Sequence, residues 1–316
     1  MKILALAGGV GGAKLVDGLS RLDPSPELTV VTNTGDDFIL FGLQICPDLD
    51  TVCYNLAGLE NPLTGWGRAE ESWESIDEIS KLGGLDWFRL GNKDLAVHLE
   101  RTRRLRAGET LSKITIDFCR SWGIQTAVLP MSDNQVSTIV QTNQGELSFQ
   151  DYFVKLNCRP EVTGFYFKGA EDCTPAEGVI QSIKQADLVV ICPSNPWVSI
   201  DPILAVPGIR QEMKKKIVLA ISPIIGGKTV KGPAAKMYQE MGITPSAAAV
   251  AAHYGEFLAG FVMDTEDQDL EQDIRSSGSN APKVFVTDTW MKTRQDRVKL
   301  AEKILNFAQQ LIKEEG

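Results

Sequence analysis

The run KILALAGGVGGAKLVDGL, Lys2 to Leu19, leaves few folds open to the chain. An apolar stretch of strand length, a glycine cluster and an amphipathic segment read as strand, tight turn and helix. Glycines at 8, 9, 11 and 12 let the backbone take positive φ and bring its N–H groups close to a bulky anion. A helix starting near Gly12 directs its positive end to the same place, and Lys14 adds a full charge. Two better-known phosphate motifs do not fit. A G-x-G-x-x-G pattern laid on Gly9 and Gly11 meets Lys14 where its third glycine belongs, and a P-loop needs Gly-Lys-Ser/Thr where the chain has Ala13-Lys14-Leu15. We expect a phosphate or diphosphate site at the C-terminal end of the first strand, with a purely structural turn as the alternative.

Glu27 to Thr32 is a second, β-branched strand, and it runs into Asn33-Thr34-Gly35-Asp36-Asp37. A right-handed crossover between parallel neighbours puts this acidic loop and the glycine turn on one sheet edge. Adjacent carboxylates beside a phosphate site repel each other and the ligand unless a cation lies between them, and Mg²⁺ is the natural cation. An Asx-turn at Asp36, or an acid holding a ribose hydroxyl, is the other reading. Cys46-Pro47-Asp48-Leu49-Asp50-Thr51 adds two more acids ahead of a helical pattern over Val52 to Leu59. Asp50 reads either as a helix cap or as part of a metal shell or a base for a hydroxyl nucleophile.

The 316 residues, 43% of them hydrophobic, suffice for a sizeable core, and the net charge of −9 argues against a nucleic-acid groove. The basic run Arg101 to Arg106 is expected to be a solvated helix face. Six cysteines without a C-x-x-C pair, and a strand opening at Lys2, lead us to expect buried thiols in a reducing cytoplasm. No apolar run reaches the ~18 residues of a membrane span.

Residues 61 to 122 carry Trp66, Trp73, Trp87, Phe88 and Trp122 among helix-forming stretches, and we expect a helical insertion over the ligand edge. Arg89 and Lys93 in this insertion can supply positive charge. Strand patterns follow at 125–130, 136–142, 146–156, 165–168, 188–192, 216–221 and 283–287, with a closing helix over 293–313. The chain therefore reads as one α/β domain over 1–316, a Rossmann-like doubly wound, mostly parallel sheet. Pro193-Ser194-Asn195-Pro196 and Gly226-Gly227-Lys228-Thr229 lie in strand C-terminal loops, the second as another anion-binding turn before a helix near Pro233. His98 and His253 have no partner at metal-ligand spacing and read as structural or rim residues.

Taken in order, LAGGVGGAK, NTGDD, ICPDLDT, LPMSD, CPSNPWVSI, LAVPGI and SPIIGGKTVKGPAAK resemble the 2-phospho-L-lactate transferase (CofD) family nearly end to end. The resemblance implies a homodimeric enzyme of coenzyme F420 biosynthesis. Its members transfer a phospholactyl or phosphoenolpyruvyl group from a guanosine diphosphate donor to the ribityl hydroxyl of 7,8-didemethyl-8-hydroxy-5-deazariboflavin, releasing GMP. It implies Asp50 and Arg89 at the deazaflavin, and Asp36 with Asp50 as Mg²⁺ ligands. Gly11, Gly12, Lys14, Ser194, Asn195, Gly227 and Lys228 match motifs expected at the donor. Asp37 and Asp50 are the candidate catalytic bases. Leu90-Gly91-Asn92-Lys93-Asp94-Leu95-Ala96 departs from the family's usual Leu-Gly-Asp-Arg-Asp-Leu-Ala, losing one carboxylate at 92, where a metal or base role would otherwise be expected, and exchanging Arg for Lys at 93. A nucleotide-sugar-binding regulator without turnover, and an NAD-dependent oxidoreductase with Asp36 on the ribose, are the rival readings.

Overall fold

Alternation along the first strand organises the computed structural model, which describes residues 1–255, 257–278 and 280–315. In β1 (Lys2–Ala7), Ile3, Ala5 and Ala7 belong to one apolar layer and Leu4 and Leu6 to the other, and all are buried. A strand covered on both faces belongs inside a parallel sheet. The remaining strands of that sheet are β2 (Glu27–Thr32), β3 (Ala127–Pro130), β4 (Leu188–Ile191), β5 (Val218–Ile221), β6 (Gly260–Met263) and β7 (Lys283–Val286). They pair in the order β7-β6-β5-β4-β1-β2-β3, every pair parallel, so the expected doubly wound α/β sheet is present.

The chain builds outward from β1 through β2 to β3 and then resumes on the other side of β1 at β4. Ala7 lies opposite Thr32, and Leu6 opposite Ile191, so the loops after β1, β2 and β4 leave the sheet together at its switch point. On one face α1 (Gly9–Ser20) packs between α2 (Pro47–Ala57) and the closing helix Arg294–Glu315. Arg297, buried there, donates to Asp17 at 2.7 Å and to Asn55 at 3.1 Å. On the other face lie the helices Val179–Gln185 and Ala247–Tyr254 and a small antiparallel sheet of Ser137–Thr142, Gly145–Ser148 and Val162–Lys168.

The 61–122 segment contains α3 (Glu74–Lys81), α4 (Asn92–Arg106) and α5 (Leu111–Ser121). Leu111 and Cys119 of α5 join the core layer of Val30 and Val128, so α5 is the crossover helix leading to β3. Two local expectations give way. The strand pattern at 146–156 is strand only to Ser148, followed by a π-helical turn over Asp151–Lys155. Gly226 and Gly227, at φ +55° and +73°, turn a short hairpin of Ile224–Ile225 and Lys228–Thr229. Among the described residues no helix is long and apolar enough to cross a membrane.

Candidate functional site

A cavity of about 780 Å³ opens where the loops after β1, β2 and β4 converge, within the range of small-molecule sites. Its floor is the glycine turn, and α1 begins earlier than the sequence suggests. Gly8 caps the helix and Gly9, at φ +61°, is already its first residue. Of the N–H groups that a helix start leaves unpaired, Gly8's points to Ser194 Oγ at 3.3 Å and Gly9's donates to Asp48 Oδ1 at 2.6 Å. Val10 and Gly11, the next two residues of the helix start, lie on the cavity wall.

Glycine is required here by closeness as much as by conformation. A Cβ on Gly8 would stand 2.6 Å from Asp48 Oδ2, and one on Gly12 2.8 Å from Ser194 Oγ. A Cβ on Gly11 would stand 2.2 Å from the Pro193 carbonyl oxygen. Because that neighbour is backbone, Gly11→Ala must part the β1 and β4 loops, at a cost of about 1–3 kcal/mol. Thermal denaturation of Gly11→Ala should show a melting point several degrees lower, and an unchanged one would mean the two loops do not pack this closely.

The acidic loops meet the turn through Asn33. Its amide nitrogen donates to Asp36 Oδ1 at 2.8 Å and to Asp48 Oδ2 at 3.0 Å, bringing the two carboxylates together on the cavity wall. Burial, then the charges of Asp48 and Asp37, push the Asp36 carboxyl well above its ordinary range. Burial also lifts Asp48 to about 6, against the opposing hydrogen bonds from Asn33 and Gly9. Among the described residues no Lys, Arg or His forms an ion pair with either acid. Two carboxyls that burial pushes toward their neutral forms, with no cation paired to them, are oxygen donors whose ionised forms a hard divalent cation would stabilise.

Asp50 sits in the first turn of α2, which starts at Pro47 with Cys46 as its cap, so Asp50 is not the capping residue. Proline suits the first helical position, and this is why the helix starts ahead of Val52. Arg101 of α4 clasps Asp50 with both guanidinium nitrogens, NH1 at 3.0 Å. Burial pushes the Asp50 carboxyl up, and Arg101 and then His98 partly oppose that shift. Arg101 is thus a buried partner of Asp50, not a solvated residue; Arg103 is exposed and paired with Glu100, whereas Arg104 is largely buried between Glu109 and Asp117. His98 is also buried, between Asp50 and Asp94, and together these three form a candidate metal-binding group with ligand atoms within 4.8 Å of one another. His253 instead faces Asp201 at 3.0 Å.

The other expected residues divide. Gly11, Lys14, Arg89, Ser194 and Asn195 border the cavity. Lys14 Nζ donates to the Met291 carbonyl at 2.8 Å, and burial, reinforced by Arg297 and Lys231, lowers its pKa. Arg89 is half exposed, 3.0 Å from Asp77 and 5.0 Å over the Trp73 ring. Ser194 donates to the Gly8 carbonyl at 2.7 Å, and Asn195 Oδ1 accepts from Trp197 N at 3.1 Å. Gly12 supports the turn from behind. Asp37, Gly227 and Lys228 are not on the cavity wall. Asp37 lies against Cys46, and burial pushes its carboxyl well up. The cavity-facing cation of the Gly226–Pro233 loop is Lys231, which donates to the Thr64 carbonyl.

Sequence reasoning passed over Asp48, Asp94, His98, Arg101 and Lys231 as site residues. For three of them a signal was present: 94, 98 and 101 follow the spacing of one helix face. Trp66 and Trp290, 49% and 42% exposed, stand on the cavity wall, with Lys292 Nζ 4.3 Å over the Trp290 ring.

Comparison with known proteins places the chain in a family. The family model described as 2-phospho-L-lactate transferase CofD matches residues 3–305. A phosphoenolpyruvate transferase of Streptomyces griseus is 44% identical over 286 residues, 88% of this chain and 90% of that protein. A 2-phospho-L-lactate transferase of Methanosarcina acetivorans is 38% identical over 305 residues, 96% of this chain and 98% of that protein. The crystal structure of a UPF0052-family protein from Bacillus halodurans shares the fold, with a TM-score of 0.62 at 15% identity over 96% of this chain and 98% of that one. With a family model spanning nearly its whole length and two transferases aligned almost end to end, this chain belongs to the CofD family of transferases.

Proposed function

We propose that the protein moves a phospholactyl or phosphoenolpyruvyl group from a guanosine diphosphate donor to the terminal ribityl hydroxyl of 7,8-didemethyl-8-hydroxy-5-deazariboflavin, releasing GMP, as a step of coenzyme F420 biosynthesis. The observation that carries this reading is one cavity bordered by the first turn of α1 at Val10 and Gly11, by the Asp36–Asp48 pair and by Asp50. Diphosphate oxygens would accept from the α1 amides, with Lys14 and Lys231 close by. Asp36 and Asp48 would hold Mg²⁺, in preference to Asp36 with Asp50, since Arg101 already neutralises Asp50. A divalent cation there supplies charge neutralisation for the diphosphate.

The ribityl oxygen attacks the distal phosphorus in line, the bridging P–O bond breaks, and GMP carries away the electron pair. Positioning and electrostatics supply most of the rate in such transfers. Of the two carboxylates expected as base, Asp50 borders the cavity and Asp37 does not, so we assign the hydroxyl proton to Asp50. Arg89, which lines the cavity as Phe88 and Phe153 do, is assigned to the deazaflavin.

If both substrates share the cavity, GDP and the deazaflavin must bind together. Titrating the deazaflavin into protein saturated with GDP and Mg²⁺, followed by tryptophan fluorescence, should give a ternary complex. Mutual exclusion of the two ligands would contradict the reading.

A further inference from the structure

His98 is 2% exposed and lies on α4 between Asp94 and Arg101. Arg101 NH1 stands 3.2 Å from its Nδ1. A guanidinium offers donors only, so Nδ1 must present its lone pair, and the neutral ring carries its proton on Nε2. That Nε2–H has no hydrogen-bond partner among the described residues. The Asp94 carboxylate oxygen nearest to it is 3.7 Å away, beyond hydrogen-bond distance. A buried donor without an acceptor at the edge of a cavity marks a place where a ligand completes the bond.

The surroundings decide which ligand. An anion would face both Asp50 and Asp94. A metal ion would need a lone pair on Nε2, where the ring carries hydrogen, and oxygens on Asp50 that Arg101 already holds. Asp94 Oδ1 accepts from the Tyr54 hydroxyl at 2.5 Å and has capacity for a second donor. A hydroxyl group, donor and acceptor at once, satisfies both neighbours.

We infer that His98 and Asp94 form a hydroxyl-binding subsite for a polyol chain, His98 donating through Nε2–H to a hydroxyl oxygen that in turn donates to Asp94. This deepens the transferase reading and rests on it, the polyol being the acceptor's ribityl chain. His98 thereby fixes the chain alongside Asp50.

Two measurements test the subsite. Nitrogen-15 NMR of the free protein should show the His98 proton on Nε2, and a proton on Nδ1, or a ring that loses its Nε2 proton on adding Mg²⁺ or Zn²⁺, would overturn the inference. His98→Asn removes the donor at the Nε2 position, whereas His98→Gln places an amide nitrogen near it. Deazaflavin binding should weaken about three- to tenfold in His98→Asn and recover in His98→Gln, with GDP binding unchanged in both. A deazaflavin whose side chain lacks hydroxyls should bind wild type and His98→Asn alike. Wild-type affinity for the deazaflavin in a folded His98→Asn overturns the subsite. A wild-type protein that takes up no deazaflavin overturns the transferase reading instead, and with it the assignment of the polyol.

Discussion

Asp36→Asn should reduce transfer about 10²–10³-fold while leaving the melting point unchanged or higher. The two effects have one cause. Asp36 and Asp48 are buried and share one amide, with no cation paired to either among the described residues, so ionising both costs the fold stability. Replacing one carboxylate by its amide relieves that repulsion, and under the proposed function it would also remove a ligand of the Mg²⁺ that neutralises the diphosphate. The pH dependence follows in sign. A carboxyl raised to about 6 in the folded protein, from about 4 when unfolded, contributes stability that is full below about pH 4 and is lost as pH rises through about 6. Metal-free protein should therefore lose stability over that window, and Asp48→Asn should lose less. Addition of Mg²⁺ should raise the melting point at pH 8 and hardly at pH 5. Scanning fluorimetry measures all three, and a Mg²⁺ effect that survives in Asp36→Asn would remove this pair from the metal site.

The largest structural effect is expected at Arg101. It is among the largest fully buried side chains, and it meets Asp50 with a two-pronged grip, His98 through Nδ1 and the Gln44 carbonyl at 3.4 Å. Arg101→Met strands the Asp50 carboxylate in the interior, which costs about 3–5 kcal/mol. Arg101→Lys should be nearly as damaging, since an ammonium cannot reproduce the fork. Adding Asp50→Asn to Arg101→Met should return part of the loss by removing the stranded charge, without restoring activity. Urea denaturation of the single and double variants reads the coupling directly. Equal stability of Arg101→Met and wild type would mean the pair is not held as described.

Much of this architecture was visible in the amino-acid order because parallel strands leave little freedom. Once Lys2–Ala7 and Glu27–Thr32 are strands joined by a right-handed crossover, the Gly8 and Asp36 loops must share an edge, and they do. What escaped the reading depended on side chains meeting across the fold. Asp48 looked like a turn acid because nothing in the sequence reveals that Gly9 N–H and the Asn33 amide close on it. Arg101 stood in a basic run in which Arg103 and Arg106 are exposed, and only the rotation of α4 turns this one inward. Gly226-Gly227-Lys228 imitated a phosphate loop, but positive φ at both glycines served a hairpin and passed the cavity-facing charge to Lys231. At Pro47 the helix-starting preference of proline was hidden because Cys46 is not a usual capping residue.

The most direct test of the account is mass spectrometry of the protein incubated with the deazaflavin, Mg²⁺ and a mixture of lactyl-, enolpyruvyl- and glyceryl-diphosphoguanosine. The account predicts one product, the deazaflavin carrying a phosphodiester-linked three-carbon acid, together with an equal amount of GMP, and the product mass names the donor. Nucleotide and deazaflavin retained by folded protein with no GMP formed would contradict it, and would point to a protein that binds these ligands without turning them over.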